Sequence, residues 1–122
     1  MRRDSLRFGR GFRISIGYGR AQATQMVVPP CGPEGGATTA STGADRWLFV
    51  VPGLGKAIVN GRRYPLRAGS LILSERGGRH EIRCTGRADL KTVSIYLPPA
   101  YSQNGKELAN PSVDHVGTIA RP

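Results

Sequence analysis

The sequence predicts an all-β domain, and three observations predict it. Turn residues recur about every ten positions, the usual spacing of a sandwich or barrel. The stretches between the turns are short and rich in β-branched and aromatic residues. No stretch holds a helical period of useful length, so parallel strands joined by helical crossovers have no room. The strands run in close succession from about Phe12 to Leu97.

Residues 1–10 read as a flexible basic arm. Phe12-Arg13-Ile14-Ser15-Ile16 alternates with period two and is a short strand. Gln22 to Val28 is a second. Pro29 to Thr42 is rich in Pro, Gly, Thr and Ser and reads as a long loop. Trp47 to Val51 is an aromatic and β-branched run that turns at Pro52-Gly53-Leu54-Gly55. Lys56 to Val59 follows, and Asn60-Gly61 is a strong two-residue hairpin signal. Arg63-Tyr64-Pro65-Leu66 carries a proline, which suits an edge strand. Ala68-Gly69 turns into Ser70 to Ser74, and Gly77-Gly78 turns into His80 to Cys84. Thr85-Gly86 leads to Leu90–Leu97, with Val93, Ile95 and Leu97 in alternation, and Pro98-Pro99 ends it. The barrel-forming domain is therefore 11–101, and 102–122 is a polar C-terminal tail.

The 122 residues fit one domain able to bury a core without disulfide staples. No run approaches the roughly 18 apolar residues of a bilayer span. Met1-Arg2-Arg3 is basic but no apolar run follows, which does not read as a secretory signal. Cys31 and Cys84 are too few for a disulfide framework. They could pair, but two free thiols in a reducing cytoplasmic compartment is the plainer reading.

Net charge is +10, carried by 15 Arg and three Lys. Such a balance favours anionic partners. The charge falls in an N-terminal group (Arg2, Arg3, Arg7, Arg10, Arg13), a turn group (Arg62, Arg63, Arg67) and a later group (Arg76, Arg79, Arg83, Arg87). No aromatic platform interleaves with these groups, which argues against single-stranded nucleic acid. A solvated basic surface, or a ligand bearing carboxylate or phosphate, remains.

Two segments resemble the conserved motifs of the cupin superfamily. Asp45 to Gly55, with Asn60-Gly61, resembles the first motif. Gly69 to His80 resembles the second. The likeness covers roughly 24–101 and implies a single-domain jelly-roll barrel. It also implies a homodimer, and one metal ion (Fe, Mn, Ni or Zn) held by histidines and a carboxylate. At the implied ligand positions this sequence has Thr39, Ser41, Arg46 and His80. One usual ligand remains, and a divalent metal needs about three from the protein. Asp45 is acidic but one residue out of phase, which turns it to the opposite face of its strand. A rebuilt site would draw on His80, Cys84 and Asp45 across a bulge, or on His115.

Strand phase puts Arg46 on one face with Leu48 and Val50, and His80 with Ile82 and Cys84. If those faces look into the barrel, Arg46 replaces the metal as its positive centre and binds an anion bidentately. The rival role for Arg46 is a salt bridge with Glu75 or Asp45. His80 is a hydrogen-bonded pocket histidine, a metal ligand, or a catalytic base. Cys84 reads as a buried thiol on the same wall. Tyr96, Tyr64 and Met26 are candidate walls, with Tyr96 assigned to the ligand site. Trp47, Phe49 and Val51 face outward as an apolar stripe that needs covering.

The leading expectation is a small-molecule-binding barrel with a degenerate metal site. One alternative is a cupin enzyme of dioxygenase, isomerase or cyclase type, using either a rebuilt metal site or His80 as a proton-transfer group with Arg46 holding an anionic intermediate. Another is a basic interaction module using the arm.

Overall fold

Short alternating segments between tight turns can satisfy their backbone groups only by pairing laterally, and the chain does so throughout. The computed structural model describes residues 1–9, 11–30, 43–77 and 80–101, and residues 37–40 by backbone alone. Among the described residues there are nine strands and no helix. They are β1 (Phe12–Gly17), β2 (Gln22–Val28), β3 (Ala37–Ala40), β4 (Asp45–Val50), β5 (Gly55–Val59), β6 (Arg62–Leu66), β7 (Leu71–Ser74), β8 (His80–Cys84) and β9 (Leu90–Leu97). Among the described residues no helix is long and apolar enough to cross a membrane.

The strands form two antiparallel sheets, ordered β1-β2-β9-β4-β7 and β3-β8-β5-β6. The sheets pack face to face. One buried cluster draws Met26, Val28, Leu48, Val50 and Leu90 from the first sheet and Ala57, Leu66, Ile82 and Cys84 from the second. This is the expected all-β jelly-roll barrel. Its strands begin at Phe12 and end at Leu97, as the turn spacing predicts.

One expectation is corrected. The loop read over 29–42 contains a strand, β3, paired with β8 through Ala37↔Arg83 to Ala40↔His80. Its Ala-Thr-Thr-Ala sequence has too little apolar character to signal a strand. The free edge of β8 supplies the ladder that holds it. Cys31, Ser41, Arg79 and His115 lie outside the described residues, as does 102–122.

The hairpin signal at Asn60-Gly61 is realised. Both residues have positive φ, 50° and 84°, as a type I′ turn between β5 and β6 requires. Pro65 sits on β6, an edge strand, where its missing N–H breaks no ladder. Gly55 is demanded by packing, because a Cβ there would overlap the carbonyl of Arg83 and the side chain of Leu90.

Residues 1–9 lie across the outer face of the first sheet. Gln25, fully buried there, clamps them. Its Oε1 accepts from the backbone N–H of Arg7 at 3.1 Å and of Phe8 at 3.0 Å. Its Nε2 donates to the Ser5 carbonyl and to Ser15 Oγ, both at 3.0 Å. Asp4 adds a carboxylate that accepts from Ser15 Oγ at 2.7 Å and pairs with Arg13 at 2.6 Å.

Candidate functional site

Cross-strand register divides the barrel interior into rows. At one end the first sheet presents Leu90 opposite Val28, both apolar. At the other end it presents Gln22, Tyr96, Arg46 and Ser74 as consecutive cross-strand partners. All four are buried. The second sheet repeats the gradient along β8: Cys84 and Ile82 join the apolar cluster, while His80 stands beside Val59 at the polar end. The interior is thus an apolar floor under a polar chamber.

Arg46 is the charge in that chamber. Its residue is 4% exposed, and its strand shows the strict alternation that places Leu48 and Val50 on the same inward face. Its Nε donates to Ser94 Oγ at 3.0 Å. Its guanidinium carbon lies 5.4 Å from the centre of the Tyr96 ring. Tyr96 is itself fixed edge-on against Tyr101, with ring centres 5.3 Å apart. The guanidinium is therefore held by a hydroxyl and an aromatic face. Among the described residues no carboxylate pairs with it: the ion pairs are Asp4 with Arg7 and Arg13, Asp45 with Arg76, and Glu81 with Arg83.

His80 is 1% exposed, and neither ring nitrogen has a hydrogen-bond partner among the described residues. Burial first, and the positive charge of Arg46 second, push its pKa down to about 4. The ring is neutral at pH 7, so one nitrogen donates and the other accepts. Most buried polar groups in folded proteins are partnered, and two open nitrogens on one ring mark a place for a ligand or a water.

The other expected site residues separate. Cys84 is on the same face as His80 but four residues along the strand, about 13 Å away. It is buried in the apolar floor, where its Sγ donates to the Ala88 carbonyl at 3.3 Å. Asp45 is on the outer side, as its phase predicts, and accepts from the Arg76 backbone N–H at 2.8 Å. The rebuilt metal set of His80, Cys84 and Asp45 is therefore not brought together. Thr39 lies on β3. Met26 is part of the apolar cluster. Ser94, Ser74 and Gln22 belong to the chamber and carry no sequence signal of their own. Only the pairing of β9 with β2 and β4, and of β7 with β4, brings them beside Arg46 and Tyr96. The Leu90-x-Thr92-x-Ser94-x-Tyr96 alternation was the trace available. It is masked by the stronger apolar alternation of Val93, Ile95 and Leu97, which faces outward.

No group of three or more His, Cys, Asp or Glu able to share a metal ion occurs among the described residues. Among the described residues the donors do not fit a divalent cation: the one imidazole feels the positive charge of Arg46, which works against a cation held there.

A buried polar chamber at one end of a small two-sheet jelly roll defines the class: a cupin-type barrel. The sequence model of the cupin domain matches residues 24–96, more than half of the chain, and the chain belongs to that family. Solved structures agree on the fold. BH2720 of Bacillus halodurans is 24% identical with a TM-score of 0.69, covering 80% of this chain and 76% of its own. A predicted oxalate decarboxylase of Thermotoga maritima is 24% identical with a TM-score of 0.57, covering 66% and 69%. KdgF of a Halomonas species is 15% identical with a TM-score of 0.64, covering 72% and 77%. No curated protein matches.

Proposed function

We propose that this cupin binds a small anionic molecule in its barrel, with Arg46 as the positive centre where the family's motifs place a metal. One observation carries the reading. A buried guanidinium has no ion-pair partner among the described residues and acts on a buried histidine with two open nitrogens. Removing a charge from water is strongly unfavourable unless a counter-charge or hydrogen bonds compensate. A ligand carboxylate supplies both. It accepts from the guanidinium in the bidentate geometry that suits two planar groups, and it accepts from the N–H of neutral His80. Ser94 and Tyr96 then act as positioning residues that aim Arg46.

In this reading the metal site is degenerate, and His80 is a hydrogen-bonding group. A ring with a pKa near 4 is a weak base at neutral pH, so the reading favours binding over proton abstraction. The test is a calorimetric titration of the metal-stripped protein with acetate. Heat that saturates in wild type and vanishes in Arg46→Gln supports the reading. Stoichiometric metal that survives purification and is lost in His80→Ala sinks it.

The same proposal includes a homodimer. Trp47, Phe49, Leu71, Leu73, Ile95 and Leu97 are each 37–58% exposed, and register joins them, with Val93, into one apolar outer face of β7, β4 and β9, bordered by Asp45 at one end and Lys91 at the other. On a chain of net charge +10, that face is where a second copy can approach without repulsion.

A further inference from the structure

Resting on the anion reading, we propose that the ligand is an amphipathic monocarboxylate, its head on Arg46 and its apolar tail in the cleft between β6 and β7. These two strands are the edges of their sheets, so the sandwich is open between them. The opening is a cavity of about 230 Å³ lined by Val59, Tyr64, Ile72 and Leu73. Tyr64 and Leu73 are 39% and 46% exposed, which makes them its solvent-facing lips.

Register ties this cleft to the polar chamber on both sheets. Val59 is the cross-strand partner of His80. Ile72 is the next inward residue along β7 from Ser74, which is the cross-strand partner of Arg46. Each wall of the cleft therefore begins where one of the two polar residues ends.

The lining then defines the ligand class. Among the described residues its lining has no charged side chain, and its one polar side-chain group is the Tyr64 hydroxyl. A second carboxylate or a polyhydroxylated tail would lose its water there without gaining partners. A hydrocarbon tail loses nothing and buries apolar surface. Size agrees, because a dry cavity of about 150 Å³ is enough for benzene. Phenylacetate has the required form, with a planar anion on one side of a single carbon and a flat ring on the other. Dicarboxylates and sugar acids do not.

The experiment is calorimetric titration of the full chain with phenylacetate, acetate, malonate and benzyl alcohol. Phenylacetate is expected to bind at least about tenfold more tightly than acetate, the ratio that burial of a ring supplies. Malonate is expected to gain nothing over acetate, and benzyl alcohol, without the anion, to bind at least about tenfold more weakly than phenylacetate. Tyr64→Ala, on a half-exposed edge strand, should narrow the phenylacetate-to-acetate ratio and leave acetate unchanged. If phenylacetate binds no better than acetate, or the ratio survives Tyr64→Ala, the cleft does not hold the tail, while acetate binding that requires Arg46 still upholds the anion reading. If no carboxylate binds wild type, both fall.

Discussion

Arg46 and Leu48 occupy successive inward positions of one strand, one a buried cation and the other part of the hydrophobic cluster. A protein shaped only for stability would place an apolar side chain at both. Replacing a buried charge by an apolar group of similar volume is often neutral or stabilising. Arg46→Met is therefore expected to be at least as stable as wild type in urea unfolding, while losing acetate binding. A loss of several kcal/mol would instead mean that Arg46 is a structural residue. His80 yields a second prediction at this scale. Its pKa in the folded chain is about 4, against an ordinary value of 6.5. Above pH 6.5 the ring is neutral in both states and its contribution to stability is complete. As pH falls from 6.5 towards 4, the unfolded chain takes up a proton that the folded chain refuses. Stability then drops, by up to on the order of 3 kcal/mol. Below about pH 4 the trend levels. His80→Gln removes this component, so the difference between its urea midpoints at pH 7 and pH 4.5 should be smaller than in wild type.

Arg46 and His80 were picked out in the sequence by the cupin resemblance, which assigns their positions, and strand alternation gave their phase. Their neighbours were not. Ser94 becomes a partner of Arg46 only through the register of β4 against β9, and register is a property of pairs of strands. The same holds at the scale of elements. Eight of the nine strands follow from alternation and turns, and Asn60-Gly61 closes its hairpin in the left-handed geometry that the dipeptide favours. β3 was missed because its pairing with β8, and not its own composition, makes it a strand. The arm is a similar case. Nothing within residues 1–9 announces docking, yet one glutamine on β2 engages three of them through three hydrogen bonds. Gln25→Ala should release the arm and cost roughly 1–3 kcal/mol, because buried backbone groups lose their partner. Amide hydrogen exchange at Arg7 and Phe8 should accelerate, whereas exchange in β5 and β8 should not.

For the whole molecule, the barrel interior grades from an apolar floor to a polar end. The floor joins both sheets through Leu48, Val50, Ile82 and Leu90 and is indifferent to what the chamber holds. The outer surface shows a matching division between the basic remainder and the apolar face of β7, β4 and β9. If that face joins two copies, sedimentation equilibrium should give a dimer in wild type and a monomer in Phe49→Lys or Leu71→Lys. A wild-type monomer would contradict the dimer without touching the anion site. Most of the family resemblance sits in turns and strand phase, so the barrel could be recognised although three of the four positions that the resemblance gives to metal ligands hold Thr39, Ser41 and Arg46.

In the proposed reading a guanidinium stands in for a metal at the heart of this barrel. A crystal structure of the protein grown with acetate tests it most directly. Planar density is expected between Arg46 and His80, within hydrogen-bonding distance of both. A metal ion coordinated by His80, or a carboxylate of the chain itself occupying Arg46, would contradict it.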